Sequence, residues 1–154
     1  MGLVVAGTAM DRSDSHERSQ RLEATAGDAG PGDGDDLTRR IIQLALRVHR
    51  RLGPGLLESV YAACLAWEIG QAGLVLEQQV PLALTYGDLR LPCVYRADLV
   101  VERRVILEIK AVDHVLPLHA AQLLTYLRLS GCRIGLLLNF NTVMLKDGIR
   151  RCVL

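Results

Sequence analysis

Apolar residues recur along this chain with two different periods, and the change between them divides the chain into helices and strands. Residues 37–51 carry apolar side chains at helical spacing, at Leu37, Ile41, Leu44, Ala45 and Val48. This pattern predicts an amphipathic helix with an arginine-rich opposite face, which suits either a phosphate backbone or solvent. Gly and Pro at 53–55 break the chain, and a second helix is predicted over residues 56–72, closed by Gly73.

The second half of the chain is predicted to form strands around one further helix. Apolar and polar positions predict three strands, at residues 75–86, 89–101 and 105–112. Pro117 suits a first helical position, so a helix is predicted from there to about Ser130. The apolar run 134–140 predicts a short buried strand, and residues 143–154 add one more. The order α-α-β-β-β-α-β, followed by a strand, indicates an α/β domain.

The first 36 residues differ from the rest in composition. They are rich in Gly, Asp, Ser and Ala, and they carry 3 basic against 8 acidic residues, a net charge of −5. Such a segment buries too little apolar surface to offset the entropy lost on ordering. We therefore expect residues 1–36 to form a disordered tail before a single domain at residues 37–154. Met10 lies within this tail and offers an alternative translation start.

Charge and cysteine content narrow the class of protein. Residues 37–154 carry 15 basic against 9 acidic residues, a net of +6, which suits nucleic acid but is also common in proteins that never meet it. The four cysteines are far apart in sequence, which argues against a structural zinc site or a disulfide framework. The sequence has no apolar run long enough to span a bilayer, and its first residues match the pattern of a signal peptide poorly. We expect a cytoplasmic protein that does not contact membranes.

The candidate chemistry centres on the predicted hairpin of residues 89–112. Glu108 and Lys110 are two residues apart on one strand, so their side chains share a face, which could also be plain solvent-exposed surface. With a three-residue turn at 102–104, Asp98 lies opposite Glu108, with Cβ atoms about 4.5–5.5 Å apart. Two carboxylates in this position repel each other unless a divalent cation lies between them. Two carboxylates, waters and a phosphate are a usual way to hold Mg²⁺.

This constellation resembles the core of a known superfamily. Asp98, separated by nine residues from Glu108-Ile109-Lys110, resembles the D…E-x-K core of the PD-(D/E)XK nucleases. The resemblance implies a restriction-endonuclease-like αβββαβ core with a mixed sheet flanked by helices. The chain departs from the pattern at Ala97. The proline that gives the superfamily its name stands here, before the aspartate, but this position varies widely among its members.

Two further motifs strengthen the resemblance. Gly55, Glu58 and Tyr61 resemble the G-x-x-E-x-x-Y signature of a family of small bacterial proteins in this superfamily. Gln122 and Tyr126 resemble the Q-x-x-x-Y motif of its RecB-type exonuclease branch. Together with the core, these motifs cover nearly all of the chain from residue 37 onward.

The resemblance implies roles for the acidic and basic residues. Asp98 and Glu108 would ligate Mg²⁺ or Mn²⁺, and Glu58 would assist as a further acid. Lys110 would act with the two carboxylates in catalysis, by handling the attacking water or the charge of the transition state. Glu58 also has a simpler interpretation, because an acid in the first turn of a helix interacts favourably with the helix dipole.

The remaining candidates would contact the substrate. Gln122 and Tyr126 are four residues apart and share one face of their helix, and Tyr61 shares a face with Glu58 in the same way. His119 lies three residues before Gln122 on the same face, where it would bind metal, move a proton or simply contact backbone at the helix start.

The function that the resemblance implies is Mg²⁺-dependent hydrolysis of phosphodiester bonds in DNA or RNA. The alternative is a regulatory module that keeps the nuclease fold and binds nucleic acid or a protein without cutting. Beyond the core the chain has little left to grip a substrate, which favours a homodimer or a partner protein.

Overall fold

The computed structural model describes residues 33–154, with side chains described from residue 35. This part of the chain forms three α-helices, a five-stranded sheet and one short 3₁₀ turn. The helices are α1 (Asp33–Leu52), α2 (Glu58–Gln71) and α3 (Pro117–Ser130). The strands are β1 (Leu76–Tyr86), β2 (Leu89–Val101), β3 (Val105–Lys110), β4 (Ile134–Asn139) and β5 (Ile149–Val153), and the 3₁₀ turn is Leu145–Gly148.

Helix α1 begins four residues earlier than its apolar stripe predicts. Asp36 forms an ion pair with Arg39 one turn further on, at 3.1 Å, and Asp35 reaches Arg151 of β5 at 2.8 Å. Acidic residues in a first turn interact favourably with the helix dipole, so these aspartates extend the helix into the segment predicted to be tail. The rest of that predicted tail, residues 1–32, lies outside the described residues.

The sheet is mixed, as the resemblance implies, and its strands lie in the order β1-β2-β3-β4-β5. Strands β3 and β4 are parallel and joined through α3, while the other neighbouring pairs are antiparallel. One hydrophobic core lies between α1, α2 and the sheet, and a second lies on the side of α3. The predicted α/β architecture, a mixed sheet flanked by helices, is therefore confirmed.

The register of the β2–β3 hairpin agrees with the predicted three-residue turn. Leu99 pairs with Leu107, Val100 with Ile106, and Val101 with Val105, around a turn at residues 102–104. The ladder ends at the Leu99–Leu107 pair, and beyond it the carboxylate of Asp98 accepts the backbone N–H of Ile109, the residue after Glu108. The hairpin thus places Asp98 beside the segment of β3 that carries Glu108.

Several arginines on the polar face of α1 bind groups on or next to α2. Arg47 and Arg51 both bind the carboxylate of Glu68 on α2, at 2.9 and 2.8 Å, and that carboxylate is buried. Arg40 donates to the backbone oxygen of Ala72 beyond the end of α2. These contacts hold α1 against α2, so much of the stripe that could track a phosphate backbone serves helix packing. No helix among residues 33–154 is long and apolar enough to cross a membrane.

Candidate metal and catalytic site

Asp98 lies where the β2–β3 ladder ends. One oxygen, Oδ2, accepts the backbone N–H of Ile109 at 2.8 Å, so the carboxylate replaces the next backbone carbonyl of β2. The other oxygen, Oδ1, has a long contact of 3.4 Å from the amide nitrogen of Gln79. Gln79 has a φ of +51°, which distorts β1 beside Asp98. The side chain is half-buried and held by one strong hydrogen bond, with its second oxygen weakly engaged.

Glu108 carries its carboxylate into the protein. The residue is 4% exposed, and Oε1 accepts a hydrogen bond from Nζ of Lys110 at 2.7 Å. The second oxygen, Oε2, is buried and has no hydrogen-bond partner among the described residues. Burial raises the pKa of Glu108 above its usual value, and the negative charges of Asp98 and Glu58 add to the rise, while Lys110 opposes it.

Lys110 lies at the end of β3 on the same face as Glu108, and its side chain is 16% exposed. Burial alone lowers the pKa of this ammonium group. The hydrogen bond to Glu108, with the charges of Glu108, Glu58 and Asp98, more than offsets burial, so the net pKa is raised. Lys110 is therefore a firmly protonated cation at neutral pH, surrounded by three acidic groups.

Glu58 is the first residue of α2, and its exposed side chain reaches the end of β3. Oε1 accepts the backbone N–H of Ala111 at 3.2 Å, directly after Lys110. Because its charge raises the pKa values of both Lys110 and Glu108, Glu58 contributes to the electrostatics of this site. The G-x-x-E-x-x-Y segment thus supplies a third acid close to the hairpin.

Tyr61, from the same segment, lies apart from this surface. Its side chain is fully buried, and its ring stacks on Phe140 with centroids 4.5 Å apart. Its hydroxyl donates to the oxygen of Gly53 at 2.7 Å and accepts from the backbone nitrogen of Leu56 at 3.1 Å. Tyr61 therefore fixes the loop before α2, and the structure does not bring it to the position expected of a substrate-binding residue.

Helix α3 contributes Tyr126 and Gln122. Tyr126 is buried, and its hydroxyl accepts a hydrogen bond of 2.6 Å from the amide nitrogen of Gln122. Burial, followed by the charges of Glu108 and Asp98, raises the pKa of Tyr126 to about 12. This effect of both acids indicates that Asp98, Glu108 and Tyr126 lie on the same side of the sheet.

His119 caps the start of α3. Its Nδ1 accepts the backbone N–H of Leu116 at 3.2 Å, which satisfies one of the donors that a helix start leaves unpaired. This contact fixes the proton of a neutral ring on Nε2. The described contacts thus match the backbone interpretation of His119, which the sequence left open beside metal binding and proton transfer.

Two residues that the sequence analysis did not single out also shape the site. Asn139, at the end of β4, is buried and bonds both the nitrogen and the oxygen of Val112, at 3.0 and 2.8 Å. It pairs with Lys110 in the parallel ladder and so fixes the exit of β3. Tyr95 of β2 places its ring 5.2 Å from that of Tyr126. Asn139 could have been noticed in the sequence because it is a polar amide within the apolar run 134–140, and a buried amide needs hydrogen-bond partners.

The carboxylate oxygens of this site could bind a divalent cation that prefers oxygen ligands. Within residues 35–154, no group of three or more His, Cys, Asp or Glu side chains is arranged to hold a metal ion. Mg²⁺, however, usually takes only one or two carboxylates and completes its shell with water and phosphate. The Asp98–Glu108 pair fits this need, because one buried carboxylate oxygen has no partner in the region that the structure describes and another is weakly held.

Comparison with known proteins identifies the superfamily. No curated protein and no solved structure matches this chain. The sequence model of the PD-(D/E)XK nuclease superfamily matches residues 35–152, which include strands β1 to β4, most of β5, the hairpin acids and the lysine. The chain therefore belongs to the PD-(D/E)XK nuclease superfamily.

Proposed function

We propose that this domain hydrolyses phosphodiester bonds in DNA or RNA and that it requires Mg²⁺ or Mn²⁺. The observation that carries the proposal is the buried Oε2 of Glu108, which has no hydrogen-bond partner within the described part of the chain and lies close to the charge of Asp98. Leaving a buried charged oxygen unpaired is costly. A cation between Glu108 and Asp98 would remove this cost and their mutual repulsion.

The two hairpin carboxylates are the proposed ligands, and Glu58 is a further acid beside them. When bound, the cation would stabilise negative charge on the phosphate and lower the pKa of a water molecule. Asp98 would keep its bond from the Ile109 N–H to Oδ2 in this role, because Oδ1 has only the long 3.4 Å contact with Gln79 to give up.

Lys110 is proposed to act as a cationic hydrogen-bond donor. Its raised pKa keeps it protonated, so it is poorly suited to remove a proton from water. Its Nζ already lies 2.7 Å from one Glu108 oxygen and has two further protons to donate. Those protons would orient the attacking water or bind the phosphate oxygen on which charge develops.

Gln122 and Tyr126 are proposed to bind the substrate phosphate beside this centre. The pKa of about 12 keeps the Tyr126 hydroxyl protonated, so it remains a neutral donor in the presence of two acids. The 2.6 Å bond from Gln122 holds that hydroxyl in place. The G-x-x-E-x-x-Y motif would then supply an acid to the metal site, and the Q-x-x-x-Y motif would bind the substrate. Tyr61 would set the position of Glu58, and His119 would anchor the start of the helix that carries Gln122.

A cleavage assay tests the proposal. End-labelled single- and double-stranded DNA and RNA are incubated with the protein in EDTA, Mg²⁺ or Mn²⁺. Glu108→Gln removes the central carboxylate, and Glu77→Gln, which removes a partly exposed acid of β1 that pairs with Arg103 at 3.0 Å, is the matched control. We expect metal-dependent products from the wild type and the control and none from Glu108→Gln. Products of equal yield from Glu108→Gln would contradict the proposal, as would a wild type that leaves every substrate intact.

The binding module is a second candidate, and one contact favours it. The 2.7 Å ion pair between Lys110 and Glu108 balances part of the buried negative charge without any metal. In a module that does not cut, Lys110 would serve stability alone. The wild type would then bind nucleic acid or a protein and leave all four substrates intact in both metals.

A further inference from the structure

Strands β1 and β2 extend beyond the rest of the sheet as a two-stranded arm. Pairing of β2 with β3 runs from Leu99 to Val101, while β1 and β2 pair with each other as far as Tyr86 and Leu89. We define the arm as residues 80–97. Beyond the nuclease core the chain has little to hold a substrate, and the arm supplies a surface that could do so.

One face of the arm is apolar and exposed. Leu82 pairs with Tyr95, and the following pairs on the same face join Leu84 to Leu91 and Tyr86 to Leu89. Leu82, Leu84 and Tyr86 alternate along β1 and so share a face, and each shares that face with its cross-strand partner. The register shifts between Leu82 and Leu84, where β2 carries two extra residues between Leu91 and Tyr95. Leu82 is buried in the core beside α3, whereas the other five are exposed, with Tyr86 78% and Tyr95 40% exposed.

This face is continuous with the proposed active site. The ring of Tyr95 lies 5.2 Å from that of Tyr126, whose pKa is raised by burial and then by the charges of Glu108 and Asp98. The row from Tyr86 through Tyr95 to Tyr126 therefore leads from the tip of the arm to the acids. About four residues of strand separate Tyr86 from the position opposite Tyr95, which is roughly 13 Å.

We propose that the arm binds single-stranded nucleic acid by stacking unpaired bases on Tyr86 and Tyr95 and directing the strand to the site; this rests on the proposed function. Aromatic faces bind unpaired bases of any sequence. Binding a duplex depends mainly on cations that contact its phosphates. The arm carries two arginines, Arg90 and Arg96, and one acid, Asp88. Arg96 donates to the backbone oxygen of Gln79 at 3.1 Å, so part of this small charge also holds the arm together.

Binding of a labelled 20-nucleotide single-stranded DNA in EDTA tests the inference without cleavage. The comparison ligand has the same length and phosphates but abasic sites in place of its bases. Tyr86→Ala and Tyr95→Ala remove the rings, Tyr86→Phe and Tyr95→Phe keep them, and Trp67→Ala removes an exposed aromatic residue on α2 as the control. We expect each Tyr→Ala change to weaken binding of the normal strand about fivefold or more. The Phe variants and Trp67→Ala should bind as the wild type does, and the abasic strand should bind weakly to all.

Three results would overturn the inference. The first is equal affinity for normal and abasic strands, or no measurable binding of either. The second is unchanged affinity in both Ala variants. The third is a wild-type dimer in sedimentation that Tyr86→Ala dissociates, because the arm would then join two copies of the chain. The cleavage assay separates the two proposals. Ring-dependent binding without any cleavage refutes the hydrolysis alone, and cleavage with ring-independent binding refutes the stacking face alone.

Discussion

Tyr61→Phe separates a structural tyrosine from a substrate-binding one, because the change deletes a single buried hydroxyl. That hydroxyl makes two hydrogen bonds, to the oxygen of Gly53 at 2.7 Å and from the nitrogen of Leu56 at 3.1 Å. Each is worth about 0.5–1.5 kcal/mol, so we expect the free energy of unfolding to fall by about 1–3 kcal/mol. At about 2.1 cal/mol/K per residue over roughly 120 residues, the thermal midpoint should drop by about 4–12 °C.

Tyr126→Phe is the matched control for this experiment. Its hydroxyl is held by one hydrogen bond, from Gln122, so the expected loss is about 1 kcal/mol or less, or roughly 4 °C. Thermal unfolding followed by circular dichroism gives both midpoints, and cleavage assayed well below them gives activity. We expect Tyr61→Phe to lose more stability and keep activity, and Tyr126→Phe to lose less stability and most of its activity. A Tyr61→Phe protein with an unchanged midpoint and a raised KM would refute this reasoning.

The remaining predictions concern metal, pH and the exit of β3. Asp98→Asn and Glu108→Gln should each abolish Mg²⁺ binding in calorimetric titration while keeping the fold; unchanged affinity in both would put the metal elsewhere. Because the folded-state pKa of Glu108 is raised, its stabilising contribution is complete below the ordinary value of 4.5 and is lost as the pH rises through the raised value. In urea denaturation, the stability of Glu108→Gln should therefore depend less on pH in this range than that of the wild type. If both proteins showed the same pH dependence, Glu108 would not be its source. Asn139→Ala leaves the backbone N–H and C=O of Val112 without their side-chain partner, so we expect the free energy of unfolding to fall by about 1–3 kcal/mol and cleavage to slow. Unchanged stability and an unchanged cleavage rate would show that Asn139 does not position the site.

The position of the site could be predicted because it depends on local rules. Alternation along β3 put Glu108 and Lys110 on one face, and the turn length fixed their partner on β2. Both rules act over a few residues, so no tertiary information was needed to expect Asp98 beside Glu108. The same holds for Gln122 and Tyr126, whose side chains meet because they are four residues apart on a helix.

The features that the sequence did not predict depend on contacts between distant segments. Strand β3 ends at Lys110, two residues before the predicted end, because the amide of Asn139 replaces the ladder at Val112. Arg47 and Arg51 bind Glu68, about twenty residues away, so part of the basic stripe of α1 is paired with a buried acid of α2. These partners are set by packing between segments, which periodicity within one segment does not encode.

The length of the arm was visible in the sequence, but its exposure was not. The predicted strands at 75–86 and 89–101 match β1 and β2 closely. Alternation alone indicates one apolar face for such a hairpin and implies that something covers it. The structure shows that α3 covers the base of this face, at Leu82, and leaves Tyr86 exposed.

The most direct test of the central claim compares wild type with Lys110→Ala in two measurements on the same preparations. Mg²⁺ affinity is measured by calorimetry, and single-turnover cleavage of a labelled oligonucleotide is measured at saturating Mg²⁺, below both thermal midpoints. Removing a cation beside two acids should leave Mg²⁺ affinity equal or tighter. Loss of the donor to the transition state should slow cleavage by about 10²-fold or more. A Lys110→Ala protein that cleaves at the wild-type rate would contradict the account, and so would a wild type that binds Mg²⁺ but cuts no substrate.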